Sequence, residues 1–600
     1  MIDRLKEYTD RVTAYSKERD NLTKKQKHLP LLRLMIFILF AILVYRYLTM
    51  QSLESAILAV LSLATFIIMS LFDSKLKSQI KRIEILLEIN RNEVAALGGE
   101  YNAFDPGNEF VDQSHDYTHD LDIFGQGSLF QFINRTATIF GKLRLAEYFS
   151  NAFGYSDHVI PRQQAVNELS GMVDLRQELQ VIFHNEQISV SDKEEMIQWI
   201  ESESPVQNLK FLRILAYGLP SITLICIALS ISGIISFPVF LIVLQLMIVF
   251  LYGKQTIKIQ TIITSKNKIL NRYAQCLKIL EDGGFKSEYL SDLQKKLTGS
   301  DIQSPSKSIH QLSTILKYMD SNLNLLVAII LNGIFMFNLH LLLKVEKWKK
   351  ENRRKVPVWF EAIATFDAVS SLANFAYNHP DYNFPEVVTA EFNFEAKELG
   401  HPLIAADERV INDVEINGWN QFHIITGANM SGKSTFLRTI GVNYILAMAG
   451  APVCAKELKF YPIQIHSSIR TSDSLVKHES YFYAELKRLK QIIDELQSGK
   501  QKLILLDEIL KGTNSKDKQA GSIALIEQLL NYKSVGLFAT HDLMLGELAE
   551  RYPGHVNNLC FEIEIAGDKM VIDYKLHNGV CKNLNATFLM KNMGILFETR

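Results

Sequence analysis

The residues richest in chemistry are Thr426-Gly-Ala-Asn-Met-Ser-Gly-Lys-Ser-Thr435. The apolar stretch before them predicts a strand, and residues 436–449 predict a helix. Between the two, Gly427-x-x-x-x-Gly432-Lys433-Ser434 has the spacing of a loop that wraps phosphate. Gly427, Ala428, Asn429, Met430, Ser431 and Gly432 would turn their backbone N–H groups onto phosphate oxygens, and the helix N-terminus adds partial positive charge. Lys433 is expected to reach the β/γ-phosphates. Ser434, followed by Thr435, would offer a hydroxyl to Mg²⁺. ATP and Mg²⁺ are therefore the expected ligands.

Two further strands are needed to complete that chemistry. Lys502-Leu-Ile-Leu-Leu-Asp507-Glu508 reads as a buried strand ending in two carboxylates. Asp507 at its tip would hold Mg²⁺, and Glu508 would polarise the attacking water as general base. Residues 535–539 predict a third strand leading into Thr540-His541-Asp542, where His541 would sense the γ-phosphate. Strands joined by crossover helices imply a doubly wound α/β sheet with its ligand at the carboxyl ends of the strands.

The totals frame this site. The chain has 600 residues, with 64 Lys+Arg against 65 Asp+Glu and a formal charge of -1, so no global basic excess points to nucleic acid. A hydrophobic fraction of 48% excludes a disordered chain. The five cysteines, 226, 276, 454, 560 and 581, are scattered, which excludes a disulfide framework and fits a reducing compartment. Mean hydropathy is +0.05, the average of a soluble machine with a minor membrane part. The Lys/Arg-rich start has no apolar core, so no cleavable signal peptide is expected.

Two stretches predict membrane hairpins. Residues 214–253 carry no charged side chain, about 60 Å as helix, with a break at Ser232-Gly233 and Pro238. Residues 34–45 and 56–72 form an earlier apolar pair with Lys24, Lys25, Lys27, Lys75 and Lys77 on its flanks. Basic flanks and turns free of Lys and Arg place both ends in the cytoplasm. Residues 323–343 are also uncharged but hold Asn324, Asn332, Asn338 and His340. They read better as a buried core helix, because an odd number of spans would separate the ATP site from the cytoplasm. The basic run over 344–355 could meet DNA backbone, anionic lipid or solvent alone.

The order of these motifs resembles the ABC class of ATPases and, more narrowly, the MutS family of mismatch-repair ATPases. The loop 426–435 with its Asn-Met pair, Leu506-Asp507-Glu508-Ile509 with Gly512-Thr513, and Phe538-Ala-Thr-His541 are similar to that family's elements. Glu479-Ser480-Tyr-Phe482-Tyr-Ala-Glu485 sits where the family has a Ser-Thr-Phe…Glu signature. The resemblance implies that Ser480 reaches across a homodimer interface to the partner's nucleotide. Upstream, Asp122-Ile-Phe-Gly, Asn134-Arg-Thr-Ala-Thr-Ile-Phe-Gly141, Arg162-Gln-Gln-Ala-Val, Asp367-Ala-Val-Ser-Ser-Leu-Ala373 and Gly400-His401-Pro402 resemble segments of the core, or lever, domain and the approach to the P-loop.

The departures shape the expectation as much. The mismatch-reading domain, with its Phe-x-Glu wedge, has no counterpart before the core, and Leu510-Lys511 replaces the usual Gly-Arg. The expected architecture is an α/β P-loop ATPase domain (381–600) preceded by an all-α core domain with transmembrane helical hairpins. Its parts are a basic N-terminal helix (1–30), a hairpin (31–73), a linker helix (74–109), the core in two parts (110–210 and 254–380) and a second hairpin between them (211–253). The expected protein is a multi-pass inner-membrane ATPase, cytoplasmic in its catalytic part, with lipid, a second copy and DNA as partners. The alternatives are an ABC-type transporter subunit and a mechanochemical scaffold that does not use DNA.

Overall fold

Every side chain of β7 (Lys502–Asp507) and β8 (Ser534–Thr540) is buried, as unbroken apolar runs require of central parallel strands. In the computed structural model, which describes residues 2–184, 190–202, 208–253, 267–299, 304–321, 325–470, 481–566 and 569–582, they belong to a six-stranded sheet. β4 (Gln421–Gly427), β6 (Gln464–Ser468) and β9 (Val556–Ala566) run parallel with them, and β10 (Lys569–Asn578) closes one edge antiparallel. The order is β10-β9-β4-β8-β7-β6. Phe422, Ile424, Ile504, Leu506 and Phe538 meet the helices Tyr481–Gln497 and Ser515–Leu529 on one face. The helix Lys433–Met448 packs over Leu505 on the other, where a Cβ on Gly441 would lie 3.1 Å from that side chain. A four-stranded sheet, β1 (Glu386–Val387), β5 (Glu457–Phe460), β2 (Asn393–Leu399) and β3 (Asn412–Asn417), completes the mixed α/β part.

The chain divides into two compact units: Met1–Arg135 with Ala146–Val173 and Ser371–Arg600, and Thr136–Leu145 with Asp174–Ser370. The first unit holds both sheets and a long helical hairpin. Ile2–Lys27 and Leu29–Met50 run one way and Leu53–Leu97 returns. At 45 residues the return helix is about 68 Å long. Its C-terminal half buries Leu76, Ile80, Ile83, Leu86 and Leu87. The distal half is different: Leu29–Met50 buries no residue, and Leu34, Phe37, Ile38 and Ile42 are all exposed. Its partner buries only the small Ser55, Ala59 and Ser62 there, at the spacing that lets two helices approach closely. Arg33 pairs with the buried Asp73 at 2.8 Å, with Lys77 at 3.0 Å from the same carboxylate.

The second unit is helical. Leu209–Ile231 and Val239–Leu251 form its apolar hairpin, joined by the buried hydrogen bond from Gln245 to Thr223. The return helix has 13 residues, about 20 Å, which is less than a full crossing of lipid. Residues 323–343 are not the single buried helix expected. Leu325–Phe335 and Phe337–Asn352 meet at 76°. Met336 takes a left-handed backbone (φ 48°), and the Asn332 side chain accepts the Asn338 N–H at 2.8 Å, replacing the helical bond the bend removes. The first arm packs along Val239–Leu251, with Gly333 letting Ile242 close in, and exposes Ile329 and Ile330. The second arm buries Leu339, Leu341 and Leu342. Val356–Asn378 is apolar and long enough to cross a membrane, but it is a core helix: 83% of its most apolar stretch is buried.

Asp367 on that helix is fully buried. It accepts the N–H groups of Ala137 and Thr138 and the Thr138 hydroxyl, the last two at 2.7 Å. Burial pushes its carboxyl up to about 6, against the hydrogen bonds that pull it down. The folded unit therefore keeps this proton up to about pH 6, and the unfolded chain only to about 3.8. Between those values the folded state binds more protons, so stability falls as pH rises through the window, by about 3 kcal/mol in all. Asp367→Asn is expected to flatten that dependence. Tryptophan fluorescence during urea unfolding reports it, because Trp199, Trp348 and Trp359 lie in this unit. An unchanged slope between pH 4 and 6 would remove Asp367 as its source.

Candidate functional site

The parallel register sets the ends of β4, β7 and β8 level. Asp507 lies opposite Ala539, and Thr426 opposite Thr540. The residues that follow each strand therefore share one edge of the sheet. After β4 the chain turns through 427–432, where Met430 (φ 67°) and Gly432 (φ 105°) adopt left-handed backbone. The Met430 side chain stands out, 79% exposed, while Ser431 is buried and its hydroxyl has no hydrogen-bond partner among the described residues. Lys433 opens the helix, lies buried, and donates to the carbonyls of Gly427 and Ala428, both at 2.8 Å. Burial pushes its ammonium pKa down, while Glu508 and Asp507 work the other way. A buried cation held inside the loop's own concavity, next to an unsatisfied hydroxyl, fits a polyanion such as a nucleotide phosphate chain.

Ser434 donates to Asp507 at 2.5 Å. Burial raises the Asp507 carboxyl pKa against that hydrogen bond. A hydroxyl and a carboxylate joined beside the loop are a hard-oxygen donor set that suits Mg²⁺. Glu508 has φ 49°, and its N–H is tied to the Ala539 carbonyl at 2.9 Å, so its carboxylate leaves the strand toward β8. It lies 3.4 Å from His541 Nδ1 and 3.8 Å from Lys511 Nζ. Burial alone would raise its pKa, but Lys511, His541 and Lys433 together hold it below the ordinary carboxylate value. His541 is half exposed at the mouth of the site. The structure thus brings Lys433, Ser434, Asp507, Glu508 and His541 to one edge. Ser480 lies outside the described residues, as do 471–479 before it.

Three residues with clear positioning roles were given none by the sequence. Glu485, buried on the helix Tyr481–Gln497, accepts the N–H groups of Leu510 (2.6 Å) and Lys511 (3.2 Å) and so clamps the loop after Glu508. Its place in the Glu479–Glu485 motif was visible, but its partner was not. Asp120, fully buried, accepts from Ser467 Oγ, from the N–H groups of Ile469 and Arg470, and from Arg488. The neighbouring Asp122 pairs with Arg470 and with Arg438 of the P-loop helix. The Asp122-Ile-Phe-Gly segment is therefore fastened to the sheet end that precedes 471–480. Tyr574 sits where β10 shifts register against β9, with φ 54°. Asn412 fixes that bulge by accepting the Leu576 N–H and donating to the Tyr574 carbonyl. The Tyr574 ring lies 3.1 Å from where a Cβ on Gly432 would be, a tight approach that, with the left-handed backbone at Gly432, favours glycine there. The ring flanks a cavity of about 380 Å³ beside the loop, lined also by His401, Ile404, Asn412, Thr435 and Phe561.

Sheet, loop and carboxylate pair define a domain of mixed α/β type. Comparison with known proteins narrows the class. Residues 423–590 match the family model for MutS domain V. The chain is 32% identical over 239 residues to the DNA mismatch repair protein MutS of Thermotoga maritima, covering 39% of this chain and 29% of the relative. It is 32% identical over 228 residues to the MutS of Ehrlichia ruminantium, covering 38% and 28%, and 32% over 235 residues to human MutS protein homolog 4, covering 38% and 24%. The chain therefore spans less than a third of the length of these curated relatives. Over this domain the chain is similar to members of the MutS family.

Proposed function

We propose that the chain is a membrane-anchored, MutS-like ATPase whose cycle of ATP binding and hydrolysis opens and closes a homodimer. The observation that carries the reading is the convergence of Lys433, the Ser434–Asp507 hydrogen bond and the Glu508–His541 pair on one end of a parallel sheet. Lys433 and the loop amides bind the phosphates of ATP. Ser434 and Asp507 would hold Mg²⁺, which supplies charge neutralisation when bound. Glu508, its pKa held down by Lys511, His541 and Lys433, takes the proton of the attacking water. His541 orients that carboxylate. Glu485 fixes the loop after it, and the cavity beside Tyr574 takes the nucleoside. Ser480 would complete the site from the partner subunit. DNA enters as the partner that the relatives' names imply.

The anchoring reading rests on the apolar helix Leu29–Met50, which buries nothing, and on its paired return helix. A solvated helix pair of that composition is strongly unfavourable in water, and lipid relieves the cost. Lys24, Lys25, Lys27, Lys75 and Lys77 flank its base, and no Lys or Arg lies between Arg46 and Lys75, which favours a cytoplasmic base at the inner membrane.

Titration of the purified full chain with Mg-ATP tests the site. Saturable binding is expected, and its absence would sink the proposal. Tyr574→Ala should weaken affinity about tenfold by removing one face of the nucleoside cavity. Unchanged affinity in that variant would place the nucleoside elsewhere.

A further inference from the structure

The basic run 344–355 plays no part in the ATPase proposed above. Its C-terminal end lines a pocket of about 630 Å³ in the second unit, together with Ser202 and Leu209. Lys349 is buried in its wall, donating to Ser202 Oγ at 2.7 Å, with its ammonium 5.2 Å from the centre of the Trp199 ring. Lys350, Arg353 and Arg354 are exposed around it and, among the described residues, pair with no carboxylate. These three outnumber the two acids of the lining, Glu346 and Glu351, and Glu351 is engaged by Lys347 at 3.8 Å. The pocket is thus a concave site with cationic charge to spare.

Its position gives the charge a meaning. Leu209 is both a wall of the pocket and the first residue of the apolar helix Leu209–Ile231. The next turn exposes Lys210, Phe211, Arg213 and Ile214 together. The pocket therefore lies where polar surface gives way to an apolar helix. We propose that it binds the phosphate headgroup of an anionic phospholipid, whose acyl chains lie along Leu209–Ile231. A phosphodiester with its two non-bridging oxygens suits the Lys350, Arg353 and Arg354 cations, and juxtamembrane cations are where anionic lipid is held. DNA backbone would instead require an extended track of cations and would leave the Leu209–Phe211 edge unused. The inference rests on the proposed lipid environment of Leu209–Ile231.

Native mass spectrometry of the full chain in detergent tests it, with phosphatidylglycerol and phosphatidylcholine added in parallel. Wild type is expected to prefer phosphatidylglycerol about tenfold, and Lys350→Glu with Arg354→Glu to erase the preference. Equal binding of the two lipids, or a preference that survives the double variant, overturns the proposal. Equal occupancy by glycerol phosphate, or a salt-dependent affinity for duplex DNA lost in the double variant, overturns it in favour of a soluble anion or nucleic acid. If the double variant does not fold, Lys350→Gln and Arg354→Gln carry the same test singly, each with a loss of about threefold. Alkaline carbonate extraction separates the two readings: release of wild type from membranes sinks the anchoring itself, whereas retention without lipid preference sinks only the headgroup pocket.

Discussion

Glu508→Gln is expected to lower ATP turnover by about 10²- to 10⁴-fold while leaving ATP affinity within about twofold. The amide keeps the shape of the side chain and its approach to His541 but cannot take a proton from water. In the wild type the carboxylate is 3.4 Å from His541 and 3.8 Å from Lys511, and these neighbours with Lys433 hold its pKa below the ordinary 4.5. The base is therefore ionised at neutral pH, and the acid limb of the wild-type turnover profile should fall below the ordinary carboxylate value of 4.5. Because the variant binds ATP without consuming it, it should also accumulate the closed state. Light scattering is expected to show a doubled mass on adding Mg-ATP to Glu508→Gln, reversed on washing the nucleotide away. Near-normal turnover would remove Glu508 from the role of base. Slow turnover with an unchanged mass would keep the base and discard the homodimer. Lys433→Ala forms the contrast, because it removes the cation at the loop and should lose ATP affinity first.

The contrast between these two residues also marks how far sequence reasoning reached. Strand-loop-helix periodicity is local, so Gly427 to Thr435, Asp507, Glu508 and His541 could be placed on their strands from the chain alone. What could not be read was anything set by distant pairing. Tyr574 reaches the P-loop only because β10 slips register against β9, and no alternation of apolar residues records a slip. Asp120 is one carboxylate among many until folding sets it against Ser467, Ile469 and Arg488, some 350 residues away. Residues 323–343 misled for a related reason. Hydropathy counts apolar residues but not the one side chain, Asn332, that can cap a new helix and make a sharp bend tolerable. Hydropathy also cannot separate Val356–Asn378 from a membrane span, since the two differ only in what covers them.

Covering is what Glu93 decides, and its removal should carry a large stability cost. Glu93 is near the end of Leu53–Leu97, the helix whose other half exposes apolar surface. Its carboxylate is buried and accepts from Arg135 Nε at 2.6 Å, from Asn374 at 3.1 Å and from Asn378 at 2.8 Å, while Tyr8 of the first helix donates to Asn378 at 2.9 Å. The Arg135 guanidinium is boxed in further by the Phe104 ring, 3.3 Å from its centre. Glu93→Ala strands a buried guanidinium and two amides, and should destabilise the first unit by about 3–5 kcal/mol. Replacing the pair together, Glu93→Leu with Arg135→Met, should restore most of that loss, because the cost lies in the orphaned charge rather than in a missing attraction. Denaturant midpoints of the two variants measure both statements. A loss under about 1 kcal/mol in Glu93→Ala would mean water reaches the cluster. ATP affinity of the molecules that remain folded should not change, since no atom of the cluster borders the phosphate loop. This would separate the residue that roots the apolar hairpin from those proposed to bind the nucleotide, although both lie in the same compact unit.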